Sequence, residues 1–234
     1  MRVYAAARVP YPPRVSAEIA VSPRELPSPL LRGRLHQVAF FVSIPAGLVL
    51  LLLAPGPKAV VGAAVYWVAL MTQFGVSAAY HLGAWDERAN ERMRTLDHAT
   101  IFVLIAGTYT PFCLLVLHGV QGVVVLSIVW TGAAVGIATK VYRTDLHVLS
   151  GFLYLGLGWV AVIVFPALVR DLSTTQLALM ILGGAFYTGG ALVLALHRPN
   201  PWPRTFGYHE VWHAATVAAA ACLYTAILLV FLST

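Results

Sequence analysis

Polar side chains that could bind a metal ion stand at three places in an otherwise apolar sequence. They are Ser77 with His81, then Asp97, then His209 with His213. Residues four apart on a helix share one face, so His209 and His213 can bind one ion together. His81 can supply a third nitrogen, and three imidazoles plus a water make a zinc site of the catalytic type. The spacing therefore predicts a metal centre, with zinc as the expected cofactor.

Two oxygen-bearing side chains are candidates for catalysis at this centre. Ser77 precedes His81 by one helical turn and could contact the bound water or the metal ligands. Asp97 could hydrogen-bond that water, or hold a ligand imidazole in one tautomer. Both have structural alternatives, because Asp97 could cap the start of a helix and a serine in such a helix often only packs. Placement at a membrane interface or a helix end is expected for the other histidines: His36, His98, His118, His147 and His197.

The segment from His209 to His213 also matches H-E-x-x-H, the zinc metalloprotease pattern in which the glutamate is the general base. In this chain no His, Asp or Glu follows His213, so the usual downstream third ligand is missing. A peptidase is therefore the minor interpretation. Glu210 is either a base or a carboxylate placed favourably at the first turn of a helix.

The elements that position these residues follow from composition. The chain is 59% hydrophobic and 10% charged, whereas a soluble domain carries about 25% charged residues. Runs of 18 or more uncharged residues are each long enough to cross about 30 Å of hydrocarbon. They cover 38–55, 59–84, 99–117, 122–139, 148–169, 177–196 and 211–234. The sequence thus predicts an all-α integral membrane bundle of seven transmembrane helices.

The chain is expected to consist of a leader and one membrane domain. Residues 1–36 are rich in proline and arginine and offer little to bury, so we predict a disordered cytoplasmic leader. Residues 37–234 hold all seven apolar runs, and short connections between the runs predict a single bundle.

The distribution of basic residues predicts the orientation. Thirteen of the 15 lysines and arginines lie in the leader or in the loops on its side, and only Lys58 and Arg170 lie on the other. The positive-inside rule then places the N-terminus in the cytoplasm and the C-terminus outside, in the inner (plasma) membrane. All three polar places fall near the cytoplasmic face. The charge faces anionic membrane lipid, which argues against a nucleic-acid partner.

Five motifs follow one another in an order that resembles the hemolysin III family, the bacterial branch of the progestin and adipoQ receptor group. The resemblance extends from about residue 31 to the end of the chain. The motifs are Leu31-Arg-Gly-Arg-Leu-His36, Ser77-x-x-x-His81, the stretches 96–102 and 105–112, and His209-Glu210-x-x-His213.

The resemblance implies a seven-helix bundle with zinc held by His81, His209 and His213, and it puts the family's serine and aspartate at Ser77 and Asp97. Eukaryotic relatives are linked to hydrolysis of the ceramide amide. The first hypothesis is thus a zinc-dependent hydrolase of a lipid amide or ester, in which zinc activates the water. Bacterial relatives are named for haemolysis and pore formation. The alternative is a non-enzymatic receptor-like or pore-forming protein with structural zinc. The oligomeric state is left open.

Overall fold

The structure is a computed structural model that describes residues 29–143 and 146–233. Helices form most of these two ranges, and no strand longer than an isolated bridge occurs within them. The helices are α1 (Arg34–Leu52), α2 (Pro57–Leu82), α3 (Glu87–Leu115), α4 (Val120–Tyr142), α5 (His147–Gly158), α6 (Phe165–Asp171), α7 (Thr174–Leu196) and α8 (Tyr208–Ser233), with a 3₁₀ helix (Trp159–Val164) between α5 and α6.

Seven helical stretches within the described residues are long and apolar enough to cross a membrane, which confirms the predicted fold class. Six are single helices. The fifth, Leu149–Asp171, combines α5, the 3₁₀ helix and α6. The chain is therefore a multi-pass membrane protein, and the side that each terminus faces stays a prediction.

The third spanning helix begins well before its apolar run. Asp86 is the N-cap of α3, and its Oδ1 accepts a hydrogen bond of 2.8 Å from the Ala89 amide. Asp97 therefore lies inside α3, so the interpretation of Asp97 as a helix cap is wrong. The apolar run marks where hydrocarbon begins, whereas the helix continues into the polar region through a charged segment.

The N-terminal end of the bundle includes residues assigned to the leader by sequence. The first helix begins at Arg34, and the residues before it bond to the loop between α7 and α8. Leu30 and Leu31 donate backbone hydrogen bonds of 3.1 and 3.2 Å to the carbonyls of Arg204 and Thr205. The predicted disorder of residues 1–28 concerns positions outside the described ones.

The bundle core is built on α2 and α3, which pack closely together. At Gly107 of α3 a side-chain methyl would lie 2.4 Å from Ala69 Cβ of α2, so only glycine allows this approach. α2 also bonds to α8 through the Tyr66 hydroxyl, which donates to the Ala220 carbonyl at 3.2 Å. In contrast, α7 packs mainly on α8 and exposes most of its surface.

Candidate metal centre

Three histidines meet where α2 ends and α8 begins. His81 lies in the last turn of α2, and His209 and His213 lie in the first two turns of α8. One ring nitrogen from each lies within 4.8 Å of the others. His81 Nε2 and His209 Nε2 are 3.2 Å apart. The structure thus brings together the three histidines that the sequence analysis proposed as ligands.

The arrangement of these nitrogens fits one divalent metal ion. At zinc–nitrogen distances of about 2.0–2.1 Å, two ligands of a tetrahedral site lie about 3.4 Å apart. The separation of 3.2 Å between His81 and His209 is close to that value. Imidazole ligands suit zinc, and they also suit copper, nickel and iron. The donor set therefore supports a metal ion, while zinc as its identity belongs to the proposal below.

Ser77 and Asp97 carry buried oxygens beside this group. Ser77 is 1% exposed and lies one turn before His81. The Ser77 side chain adjoins the Asp97 carboxylate. Among the described residues, neither Ser77 Oγ nor Asp97 Oδ1 has a partner at good hydrogen-bond geometry. Within the described part of the chain, the Asp97 carboxylate makes no hydrogen bond or ion pair with the three histidines. Buried polar atoms are normally paired, so these two oxygens are suited to a water or ligand group.

Glu210 is fully buried, and both of its carboxylate oxygens are engaged. Its Oε1 pairs with the Arg32 guanidinium. Its Oε2 accepts a hydrogen bond of 2.8 Å from the Gly207 amide. A carboxylate held on both oxygens is poorly placed to take a proton from water. This contact pattern argues against Glu210 as a general base, and with it against the peptidase interpretation.

His36 is a fourth histidine at the centre. It lies in the first turn of α1, as the predicted helix-end placement requires, but its side chain is buried rather than exposed. It is 2% exposed, and its ring stacks on His213 with centroids 3.8 Å apart and planes 9° apart. Its Nε2 lies 2.9 Å from Thr216 Oγ1. That hydroxyl donates its one proton to the His213 carbonyl at 2.8 Å, so His36 Nε2 must be the donor to Thr216. His36 therefore supports the position of the His213 ring, through the stacked contact and through Thr216.

Comparison with known proteins identifies the family. The model of the family described as "Haemolysin-III related" matches residues 24–224. The chain belongs to the hemolysin III family. It is 30% identical to a Bacillus cereus protein named hemolysin-3 over 203 residues, covering 85% of this chain and 90% of the relative. It is also 30% identical to the hemolysin-3 homolog of Bacillus subtilis (strain 168) over 197 residues, covering 82% and 89%.

Among the described side chains of this hemolysin III protein, those of His98, His118 and His197 do not join the candidate ligand group. His98 Nδ1 lies 2.6 Å from the Arg94 carbonyl of its own helix. His197 is the C-cap residue of α7, which confirms the predicted placement at a helix end. His118 is exposed in the turn before α4, and the side chain of His147 lies outside the described ones. The sequence does contain a signal for a role of His36 at the centre. This residue ends the family-like motif 31–36 and lies at the same predicted membrane depth as the three candidate ligands.

Proposed function

We propose that this hemolysin III protein is a zinc-dependent hydrolase that cleaves an amide or ester bond of a membrane lipid near the cytoplasmic face of the plasma membrane. One observation carries the proposal: three convergent imidazoles stand near two buried oxygens, Ser77 Oγ and Asp97 Oδ1, that make no hydrogen bond of good geometry within the described part of the chain. A purely structural metal site has four protein ligands and no need of such oxygens. A hydrolytic site needs both an open position and groups that hold water.

A zinc ion bound here would lower the pKa of water to about 7 and polarise a carbonyl. Asp97 Oδ1 accepts a hydrogen bond from the attacking water, orients it and takes its proton. Ser77 Oγ donates a hydrogen bond to the carbonyl oxygen as negative charge develops there. The water oxygen bonds to the carbonyl carbon, the bond to nitrogen or ester oxygen breaks, and the proton passes to the leaving amine or alcohol.

The packing of the fifth and sixth spans supports approach of a substrate from the bilayer. The fifth span is tied to α3, because the Tyr109 hydroxyl donates to the Gly158 carbonyl at 2.6 Å and the Tyr154 hydroxyl donates to the His98 carbonyl at 2.8 Å. By contrast, α7 contacts the fifth span sparsely. One of these contacts is the hydrogen bond of 3.3 Å that Trp159 Nε1 donates to Thr188 Oγ1. We propose that a lipid chain enters between these two spans.

A second candidate function rests on the name of the Bacillus cereus relative, hemolysin-3. In that alternative the protein is a receptor-like or pore-forming membrane protein and its metal is structural. The spans of this chain are strongly apolar, and each has a window of mean hydropathy of 1.5 or more. A single bundle of such helices offers no obvious aqueous path, so a pore would require several copies.

The test combines hydrolysis with metal content. Purified zinc-loaded protein is incubated with a panel of lipid amides and esters, and products are measured by mass spectrometry. Asp97→Asn should keep its metal and lose about 10²–10⁴-fold in turnover. The matched control is Asp86→Asn, since asparagine caps a helix about as well as aspartate.

Each result decides between the candidates. Unchanged turnover in Asp97→Asn would remove the catalytic role of that carboxylate. Absence of product from every lipid with wild-type protein, together with dye release from liposomes, would favour the pore-forming alternative.

A further inference from the structure

The backbones of the two helices that carry the candidate ligand histidines come close together at few positions, whereas both helices pack on α1. They meet mainly through side chains, at the Tyr66–Ala220 hydrogen bond and at the histidines themselves. The spacing between His81 and the pair His209 and His213 therefore depends on what fills the space between the two backbones. Residues 29–33, which lead into α1, lie at that position.

The first contact of this segment is with α8. Arg32 forms an ion pair with Glu210, the residue that follows His209. The side chain of Glu210 is 1% exposed and that of Arg32 is 24% exposed. A buried carboxylate that loses its partner is strongly unfavourable. The backbone hydrogen bonds from Leu30 and Leu31 to the loop before α8 fix the position of the same segment.

The second contact is with α2. Gly33 has a φ of +76°, and a methyl group built on it would lie 2.7 Å from His81 Cβ. A non-glycine residue would thus meet both the backbone penalty of a left-handed conformation and a steric collision with a metal ligand. The segment contacts the ligand-bearing end of each helix through two consecutive residues.

We propose that residues 29–33, here termed the N-terminal strap, hold the ligand histidines at the spacing that metal binding requires, with Arg32 and Gly33 as positioning residues. The proposal rests on the metal centre of the proposed function and does not depend on hydrolysis. Neither residue touches the metal. Each acts through a neighbour: Arg32 through Glu210 on α8, and Gly33 through His81 on α2.

The test measures zinc affinity of the full-length protein in detergent micelles by chelator competition, with cobalt absorption as a report on ligand geometry. Arg32→Ala and Gly33→Ala should each weaken zinc binding about 10–100-fold, the range for groups that support metal ligands. Arg32→Lys should weaken zinc binding less than Arg32→Ala, because lysine keeps the positive charge but lacks the planar guanidinium group.

Matched controls separate positioning from general damage. Arg34→Ala removes an exposed arginine side chain two positions away, which donates a hydrogen bond of 3.0 Å to Gln37. Gly119→Ala also places a side chain at a positive φ, +61°, but nothing lies within 4 Å of that position. Both controls should keep wild-type affinity. In a double-variant cycle, Arg32→Ala should add little to Glu210→Ala, because the two residues act as one unit.

Two results with the variant proteins would overturn the proposal. One is zinc affinity within about twofold of wild type in folded Arg32→Lys and Gly33→Ala proteins, with only thermal stability reduced. The other is an affinity loss in Gly119→Ala equal to that in Gly33→Ala. Wild-type protein that binds no metal would remove the metal centre and the strap together. Wild-type protein that binds metal but cleaves no lipid removes only the hydrolase, so the two failures are distinguishable.

Discussion

Replacement of His36 by alanine is expected to weaken metal binding although His36 is not a ligand. The substitution removes a ring stacked 3.8 Å from that of His213 and a hydrogen bond of 2.9 Å to Thr216. An aromatic contact contributes about 0.5–1.5 kcal/mol, and a neutral hydrogen bond contributes a similar amount. If most of this orients His213, the affinity for zinc falls about 10–100-fold, as for other groups that support a ligand.

Two further variants divide this effect between its parts. His36→Phe keeps an aromatic ring against His213 and loses the hydrogen bond, so about 2–10-fold of affinity should be lost. Thr216→Val is nearly isosteric, removes the hydroxyl that accepts from His36, and should give a similar loss. His118→Ala, in an exposed turn away from the centre, serves as the control and should change nothing.

The assay is chelator competition for zinc on purified protein, with thermal unfolding measured in parallel. Affinity of His36→Ala within about twofold of wild type would refute the reasoning that the stack orients His213. Complete loss of the metal in His36→Ala would also refute the reasoning, because His36 would then be a metal ligand rather than a support for His213.

Two other predictions concern the topology and the core. A reporter that is active only in the cytoplasm should give no signal when fused to the C-terminus at Thr234, and strong signal there would reverse the assigned orientation. Gly107→Ala should destabilise the bundle by about 1–3 kcal/mol in thermal or denaturant unfolding, since its methyl would lie 2.4 Å from Ala69 Cβ. Gly184→Ala, with nothing within 4 Å, should not be destabilising, and an equal loss in both variants would refute the packing argument.

The transmembrane helices could be predicted from sequence because each apolar run has to match the thickness of a bilayer. The ends of the helices could not be predicted in the same way. The start of α3 is set by the cap at Asp86, in a charged segment outside the apolar run. The apolar run alone therefore leaves a helix-capping role open for Asp97, and the structure excludes it because the cap is Asp86.

The grouping of the three candidate ligands was also within reach of the sequence. His209 and His213 are one helical turn apart, and the predicted membrane depth added His81. The supporting contacts were out of reach, because they join residues far apart in the chain. Arg32 and Glu210 are 178 positions apart, and His36 and Thr216 are 180 apart. No local spacing encodes such pairs, which form only when α1 packs beside α8.

The central claim is that His81, His209 and His213 bind one metal ion. Elemental analysis of purified protein, by mass spectrometry of the metal content per chain, tests it most directly. We expect close to one divalent ion per wild-type chain, with zinc as the ion, and almost none in the variant with all three histidines replaced by alanine. Near-stoichiometric metal in that triple variant, or none in the wild type, would contradict the claim.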